Sequence, residues 1–176
     1  RKCTIHGKEI LLQSSYSVLS VFTKDVAGKW RFSHNIKGFS NLIKRLEVDP
    51  AGNIWANHMY KGVYRIQLNA TLDSVKELEY ITNPDSTRKE SALNVMMLRG
   101  RVVITDGYQF YMYEDLSQKV VPFNELNNQF KGMGDTYRIV PVNNDLYWFI
   151  RSSEYVLVGF ENGRYEAKAR IPFGLF

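Results

Sequence analysis

The sequence has very little cysteine and histidine, and this scarcity removes whole classes of site. Its one cysteine, Cys3, has no partner for an internal disulfide and no second thiolate for a structural zinc site. The three histidines, His6, His34 and His58, lie far apart and lack a metal-ligand spacing such as His-Glu-x-x-His. We therefore expect neither a metal ion nor another cofactor.

Long apolar runs and blocks of like charge are also missing. No run approaches the ~18 apolar residues that a membrane-spanning helix needs, and no signal-peptide pattern opens the chain. Lys and Arg number 23 against 18 Asp and Glu, which gives a net charge of +5. Because the basic residues are dispersed, they are typical of a solvated mixed surface, and we predict no nucleic-acid partner.

Catalytic sequence patterns are scarce as well. The serine pairs at 14–15 and 152–153 lack the Gly-x-Ser-x-Gly elbow that exposes a nucleophile. Gly132-Met133-Gly134 is too short for a phosphate-binding loop. Scattered carboxylates leave glycoside hydrolysis open, since that reaction depends on a separation in space that sequence does not give. We predict that this chain is not itself an enzyme.

What the sequence does contain is a series of short runs rich in β-branched and aromatic residues. With 44% apolar and 14% aromatic content, the chain can build a sizeable core. One short helix is predicted over Phe123–Phe130, with Asn124 as its cap. The predicted strands are Lys2–His6, Glu9–Gln13, Tyr16–Phe22 and Lys29–Ile36; Ile43–Val48, Asn53–His58, Val63–Leu68 and Val75–Ile81; Leu93–Leu98, Arg101–Thr105, Phe110–Glu114 and Lys119–Phe123; and Tyr137–Val142, Leu146–Ile150, Tyr155–Phe160 and Tyr165–Ile171.

These runs recur in four groups of four. The second runs align at Ile10, Ile54, Val102 and Tyr147, which lie 44, 48 and 45 residues apart. Four short strands per period of about 40 to 50 residues are typical of a β-propeller. We predict an all-β fold, a single β-propeller fragment of about four four-stranded antiparallel blades that forms an open arc of a larger propeller. The approximate blades are 1–40, 41–86, 87–132 and 133–176, and the polar stretch Thr82–Ser91 is an inter-blade loop.

The stretch Asp49–Ile66 carries the most specific pattern in the chain. It opens with the tight-turn signal Asp-Pro-Ala-Gly-Asn, in which the aspartate can bond the turn backbone and the glycine fits a left-handed conformation. A tryptophan then supplies a large ring for burial, and a second glycine permits the next turn. The residues predicted to hold this blade together are Asp49, Gly52, Asn53, Trp55, Gly62 and Tyr64.

The pattern Asp49-x-x-Gly52-Asn53-Ile54-Trp55-Ala56, followed by Gly62-Val63-Tyr64-Arg65, resembles the repeat of the two-component regulator propellers. Members of this family are extracytoplasmic sensor regions of bacterial hybrid two-component histidine kinases and of related membrane-bound transcription regulators. The resemblance covers about 18 residues of the second unit. It implies a non-catalytic sensor in the periplasmic portion of an inner-membrane protein. The implied partner is a small molecule, such as an oligosaccharide or another nutrient-derived ligand, and the kinase or DNA-binding parts would lie elsewhere in the parent chain.

The turns between second and third strands gather on one rim of a propeller, and we predict the ligand site there. Trp55 or Tyr60 would be the platform on which a sugar ring stacks, and Tyr60, which lies in a turn, is the better candidate. The predicted rim residues are Asn57, His58 and Tyr60 from the second unit, Asp106 and Tyr108 from the third, and Arg151 and Glu154 from the fourth.

Two other functions stay open, a propeller enzyme such as a lyase or glycosidase and a protein-binding scaffold. The abrupt first residue Arg1 and the final run IPFGLF predict a fragment of a longer chain. Because an open arc leaves apolar blade faces in water, we also predict self-association.

Overall fold

The computed structural model describes residues 1–82, 84 and 92–175, and these form four four-stranded antiparallel sheets. In each sheet the strands are neighbours in chain order, so every sheet is a meander. No described helix is long and apolar enough to cross a bilayer. The strands are β1 (Lys2–Ile5), β2 (Lys8–Ser15), β3 (Val18–Lys24) and β4 (Trp30–Asn35) in sheet 1; β5 (Ile43–Val48), β6 (Ile54–His58), β7 (Val63–Leu68) and β8 (Val75–Ile81) in sheet 2; β9 (Asn94–Leu98), β10 (Arg101–Thr105), β11 (Phe110–Glu114) and β12 (Lys119–Pro122) in sheet 3; and β13 (Arg138–Pro141), β14 (Leu146–Ile150), β15 (Glu154–Glu161) and β16 (Arg164–Pro172) in sheet 4.

The prediction of an all-β chain with four four-stranded antiparallel sheets is confirmed. Within the described residues, the one helix longer than a single turn, α1, spans Asn124–Gln129, but the predicted cap is wrong. Asn124 is already helical, Phe123 occupies the cap position, and no side chain bonds the first turn. Of the predicted loop over Thr82–Ser91, residues 83 and 85–91 lie outside the described part of the chain. The blade boundaries at 40, 86 and 132 stay predictions.

The chain divides into two compact units. Unit 1, Arg1–Thr82, holds sheets 1 and 2. Its core joins side chains of both sheets, including Ile10, Leu12 and Leu19 from sheet 1. In β7 the apolar side chains at 64, 66 and 68 reach this core, as strand alternation predicts.

Unit 2, Asn83–Phe176, holds sheets 3 and 4 together with α1. Its core includes Val103 and Phe110 from sheet 3, Phe149 from sheet 4 and Leu126 from the helix. The Phe110 and Phe149 rings meet edge to face at 6.2 Å between centroids. The side-chain amide of Asn127 in α1 bonds the backbone of β11 as a neighbouring strand would. Its Oδ1 accepts from the Phe110 N–H, and its Nδ2 donates to the Phe110 carbonyl, both at 2.8 Å.

Candidate functional site

The Asp49 carboxylate organises the turn that leads into β6. Its Oδ1 accepts a hydrogen bond from the Asn53 N–H at 2.9 Å. Its Oδ2 accepts from Asn53 Nδ2 and from Trp55 Nε1, both at 2.8 Å. The Trp55 ring is 1% exposed, so the carboxylate supplies its buried N–H with an acceptor. These three residues are engaged in holding their own turn.

Two glycines of the same stretch occupy positions that other residues fill poorly. Gly52 has φ +88°, and an added Cβ would lie 3.3 Å from the Ile5 side chain. Gly62 has φ +77°, and an added Cβ would lie 2.7 Å from the Tyr80 ring. Left-handed backbone and close neighbours together make glycine the residue that fits.

The turn between β6 and β7 is built around His58. His58 Nδ1 accepts from the N–H groups of Tyr60 and Lys61, each at 3.3 Å. The His58 N–H donates to the Gly62 carbonyl at 3.1 Å, which closes the turn. Because Nδ1 acts as an acceptor, a neutral His58 ring carries its proton on Nε2. The imidazole thus fixes the backbone that presents Tyr60.

Four rings meet at this end of sheet 2, and we refer to His58, Tyr60, Tyr64 and Tyr80 as the His58 cluster. The His58 centroid lies 6.0, 5.9 and 6.2 Å from those of Tyr60, Tyr64 and Tyr80. Tyr64 stacks on Tyr80 at 4.6 Å, and the Tyr80 hydroxyl donates to the Lys61 carbonyl at 2.8 Å. Burial, followed by the neighbouring Tyr80, raises the pKa of Tyr64. The cluster offers an aromatic surface, of which the Tyr60 ring is the most exposed part.

Tyr16, for which the sequence predicts a strand, lies instead in the turn between β2 and β3. Its φ of +55° is left-handed, which is uncommon for a residue with a side chain, and its ring is exposed. The Tyr16 carbonyl accepts from the Ile43 N–H at 3.2 Å, and the Leu42 carbonyl accepts from the Met59 N–H at 3.1 Å. The Leu42–Ile43 segment thus bonds both the Tyr16 turn and the Tyr60 turn, so the two turns lie at the same end of unit 1.

A signal for Tyr16 was present in the sequence. Tyr16 precedes Tyr60 by 44 residues, which is the spacing that separates Ile10 from Ile54. Tyr108 follows Tyr60 by 48 residues, which is the spacing from Ile54 to Val102. Position within the repeat, and not the local strand pattern, identifies the turn.

In unit 2, the turn between β10 and β11 displays Tyr108 and uses Asp106 to do so. Asp106 is 4% exposed. Its Oδ1 accepts from the N–H groups of Tyr108 and Gln109 at 2.9 and 3.0 Å, and its Oδ2 accepts from the Tyr111 hydroxyl at 2.9 Å. Both carboxylate oxygens therefore shape the turn, while the Tyr108 ring is exposed to solvent.

The turn between β14 and β15 is an ion-pair network. Arg151 Nε donates to Asp135 at 2.7 Å, its Nη2 donates to the Gly132 carbonyl at 2.8 Å, and its Nη1 donates to Glu154. Glu154 also accepts from Arg170 at 2.7 Å. Burial alone would raise the pKa of Asp135, but hydrogen bonds from Arg151 and Ser152 outweigh it and hold that pKa below its usual value. The two predicted rim residues of this turn, Arg151 and Glu154, are thus bonded within unit 2.

The predicted rim residues therefore differ in how far their side chains are exposed to solvent. Tyr60 and Tyr108 present rings to solvent, His58 supports one of them, and Asn57 is buried in β6. Among the described residues no group of three or more His, Cys, Asp or Glu is placed to hold a metal ion. What the turns offer is aromatic surface on a fixed backbone, which suits binding more than covalent chemistry.

Comparison with known proteins extends the fold assignment. Neither a protein-family model nor a curated protein matches the sequence. Among solved structures, the chain is similar to a protein from Lactobacillus plantarum, with a TM-score of 0.53 and 7% sequence identity. The alignment covers 95% of this chain and 55% of that one, so the chain spans about half the length of its neighbour. At this identity the similarity concerns the fold alone, and the four repeated four-stranded meanders make that fold β-propeller-like.

Proposed function

We propose that this chain is the ligand-binding part of a bacterial sensor, and that tyrosines in the turns between second and third strands contact the ligand. One observation carries the proposal. Three of the four sheets present an exposed tyrosine in this turn, namely Tyr16, Tyr60 and Tyr108, which are 74%, 71% and 68% exposed. Large aromatic side chains held in water by fixed turns are typical of recognition surfaces.

The chemistry of these turns favours a neutral ligand with flat apolar faces and hydroxyl edges, which describes an oligosaccharide. A sugar ring stacks its C–H face on a phenol ring, while its hydroxyls reach phenol oxygens and turn backbone. In unit 1 the Tyr16 and Tyr60 turns are both bonded to Leu42–Ile43, so a ligand of several rings would contact both.

The biological setting belongs to the same proposal and is supported by the Asp49–Ile66 pattern. Its resemblance to the two-component regulator propellers favours the periplasmic part of a membrane-anchored histidine kinase or transcription regulator. The turn carboxylates favour sensing over hydrolysis. Asp106, Asp135 and Glu154 accept hydrogen bonds from their own chain, and that leaves them poorly placed as an acid and base pair.

Thermal-shift and calorimetric titrations with cellohexaose, xylohexaose and mannohexaose test the proposal. We expect at least one of them to raise the melting temperature. Tyr16→Ala and Tyr60→Ala should each weaken binding about 3- to 10-fold, which corresponds to the loss of one aromatic stacking contact. Tyr137→Ala is the matched control, because Tyr137 is exposed but lies outside these turns.

Three outcomes would overturn the proposal. The first is that none of the three oligosaccharides binds. The second is that binding is unchanged in the Tyr16→Ala Tyr60→Ala double variant while its circular dichroism stays that of the wild type. The third is that shortened products appear in the titrated solution, which would favour a glycosidase.

A further inference from the structure

The turns that display Tyr60 and Tyr108 are held by the same hydrogen-bond pattern. In sheet 3, Asp106 Oδ1 accepts from the N–H groups two and three residues ahead of it, at 2.9 and 3.0 Å. In sheet 2, His58 Nδ1 accepts from the N–H groups two and three residues ahead of it, each at 3.3 Å. The two acceptors are 48 residues apart, as are the two tyrosines. They therefore occupy the same position of the repeat.

The two acceptors differ in their response to a proton. A carboxyl group keeps acceptor oxygens in both protonation states, whereas an imidazole nitrogen has no lone pair once it is protonated. Histidine ordinarily takes up this proton between about pH 8 and pH 5. His58 is half-buried, so solvent reaches its ring. In the protonated ring, Nδ1–H would face two other N–H donors, and the hydrogen bonds that fix the Tyr60 backbone would be lost.

The other two histidines of the chain make contacts that a proton leaves intact. His6 Nε2 and His34 Nε2 lie 3.1 and 2.9 Å from backbone carbonyl oxygens. Both rings therefore donate through Nε2–H, which the protonated imidazole retains. His34 Nδ1 contacts the Ser33 hydroxyl, a group that can donate or accept. Of the three histidines, His58 is the one whose hydrogen bonds require a nitrogen without a proton.

The neighbours of the His58 ring come from the turn and from β5, β7 and β8. The other three rings of the His58 cluster border it from the turn, β7 and β8. The charged side chains nearby in the chain and the sheet are Lys61 in the turn and Lys44, which is next to the β5 partner of His58. Glu79 of β8 pairs with Arg65 on the opposite face of the sheet. These described neighbours therefore place no carboxylate beside the ring to accept from Nδ1–H.

We infer that His58 is a positioning residue whose protonation releases the Tyr60 turn. The turn holds its ring in a fixed place at neutral pH and loses that order in mild acid. As a form of regulation of the ligand site, this rests on the proposed function. The Tyr16 and Tyr108 turns contain no histidine, so Tyr60 alone should respond. Ligand affinity at about pH 5 should be about 3- to 10-fold lower than at about pH 8, which is the loss expected for Tyr60→Ala.

Nitrogen-15 relaxation of the ligand-free protein at about pH 8 and about pH 5 tests the switch itself. We expect the order parameter of the Tyr60 N–H to fall from about 0.85, typical of rigid backbone, to below about 0.6. That of Tyr108, in the turn held by a carboxylate, should stay high at both pH values. A Tyr60 order parameter that is the same at the two pH values would overturn the inference.

Three substitutions separate the acceptor, the ring and the proton. His58→Asn keeps an acceptor atom near the place of Nδ1 but does not titrate, so the Tyr60 turn should stay ordered at both pH values. His58→Phe keeps a ring without an acceptor, so the turn should be mobile at both. His34→Gln removes a different histidine and should leave the wild-type change intact. A fall in order that persists in His58→Asn, or one that disappears in His34→Gln, would overturn the inference.

Calorimetric titrations with cellohexaose, xylohexaose and mannohexaose at the same two pH values test the regulation. The wild type should lose affinity in acid, and His58→Asn should not. Tyr60→Ala should remove the pH dependence, because a contact that is already absent cannot be lost again. A pH dependence of wild-type size in Tyr60→Ala would overturn the inference. Failure of all three oligosaccharides to bind at either pH would overturn the proposed function, and the relaxation result would then decide the inference by itself.

Discussion

At the scale of single residues, the turn before β6 shows how few side chains determine a local fold. One carboxylate, that of Asp49, accepts from the backbone and side chain of Asn53 and from the Trp55 indole. Gly52 makes that geometry possible, because its φ of +88° is one that other residues adopt only with strain. The pattern Asp-x-x-Gly-Asn-x-Trp therefore describes one hydrogen-bonded unit.

Gly52→Ala should destabilise the chain for two reasons that can be separated. The left-handed backbone costs about 1 to 2 kcal/mol for a residue with a Cβ. The new Cβ would also press on Ile5 at 3.3 Å. Gly28→Ala is the control, since Gly28 has φ +74° but no atom near its added Cβ. Urea unfolding should show a larger loss for Gly52→Ala than for Gly28→Ala, and equal losses would mean that the Ile5 contact contributes nothing.

At the scale of elements, the turns between second and third strands are of two kinds. The turns at Tyr16, Tyr60 and Tyr108 display a ring, whereas the turn between β14 and β15 is held by Arg151 and its acidic partners. Among these partners, Asp135 has a pKa that depends on the turn between β14 and β15. Its hydrogen bonds from Arg151 and Ser152 favour the ionised carboxylate.

The folded-state pKa of Asp135 is depressed, which fixes the sign of its contribution to stability. The unfolded chain takes up the proton at a higher pH than the folded chain does, so this contribution is present above the ordinary value of 3.8. It is lost as the pH falls through the lower, folded value. We expect Asp135→Asn to destabilise the protein at pH 7 and to flatten the fall in stability below about pH 4.

The measurement for Asp135 is urea unfolding at a series of pH values from neutral to strongly acidic. Asp115→Asn is the control, because Asp115 is an exposed turn residue between β11 and β12. It should leave the acid dependence close to that of the wild type. A wild-type slope retained by Asp135→Asn would show that its hydrogen bonds do not stabilise the folded chain.

The sequence predicted these elements well because strand alternation and turn residues are local signals. Each of the sixteen strands in the described part of the chain begins and ends within two residues of its predicted bounds. Pairing between distant side chains is not local, so the sequence predicts Arg151 as a ligand group and gives no sign of its bond to Asp135, 16 residues away. For Tyr16 the pattern Tyr-Ser-Val-Leu predicts a strand, whereas its left-handed φ follows from the turn.

At the scale of the whole molecule, repetition produces two compact units that each contain a complete core. Among the described residues, the core of unit 1 comprises side chains between residues 3 and 75, and that of unit 2 comprises side chains between residues 96 and 165. A unit with its own core has the main requirement for folding alone.

Residues 1–82 expressed alone should therefore fold with a cooperative urea transition. Within them, Ile66→Ala should cost about 2 to 5 kcal/mol, because Ile66 is fully buried in the core of this unit. Lys76→Ala, at an exposed position of β8, should cost less than about 0.5 kcal/mol. A gradual transition, or equal effects of the two substitutions, would contradict the independence of unit 1.

The short segment Leu42–Ile43 connects the Tyr16 turn to the Tyr60 turn. Since it bonds the Tyr16 turn on one side and the Tyr60 turn on the other through main-chain atoms, peptide geometry helps to set the distance between the two turns. Replacing either tyrosine would therefore change the exposed side chain but not the distance between the two turns. Under the proposed function, the ligand preference could therefore change at one turn while the spacing of the two turns is kept.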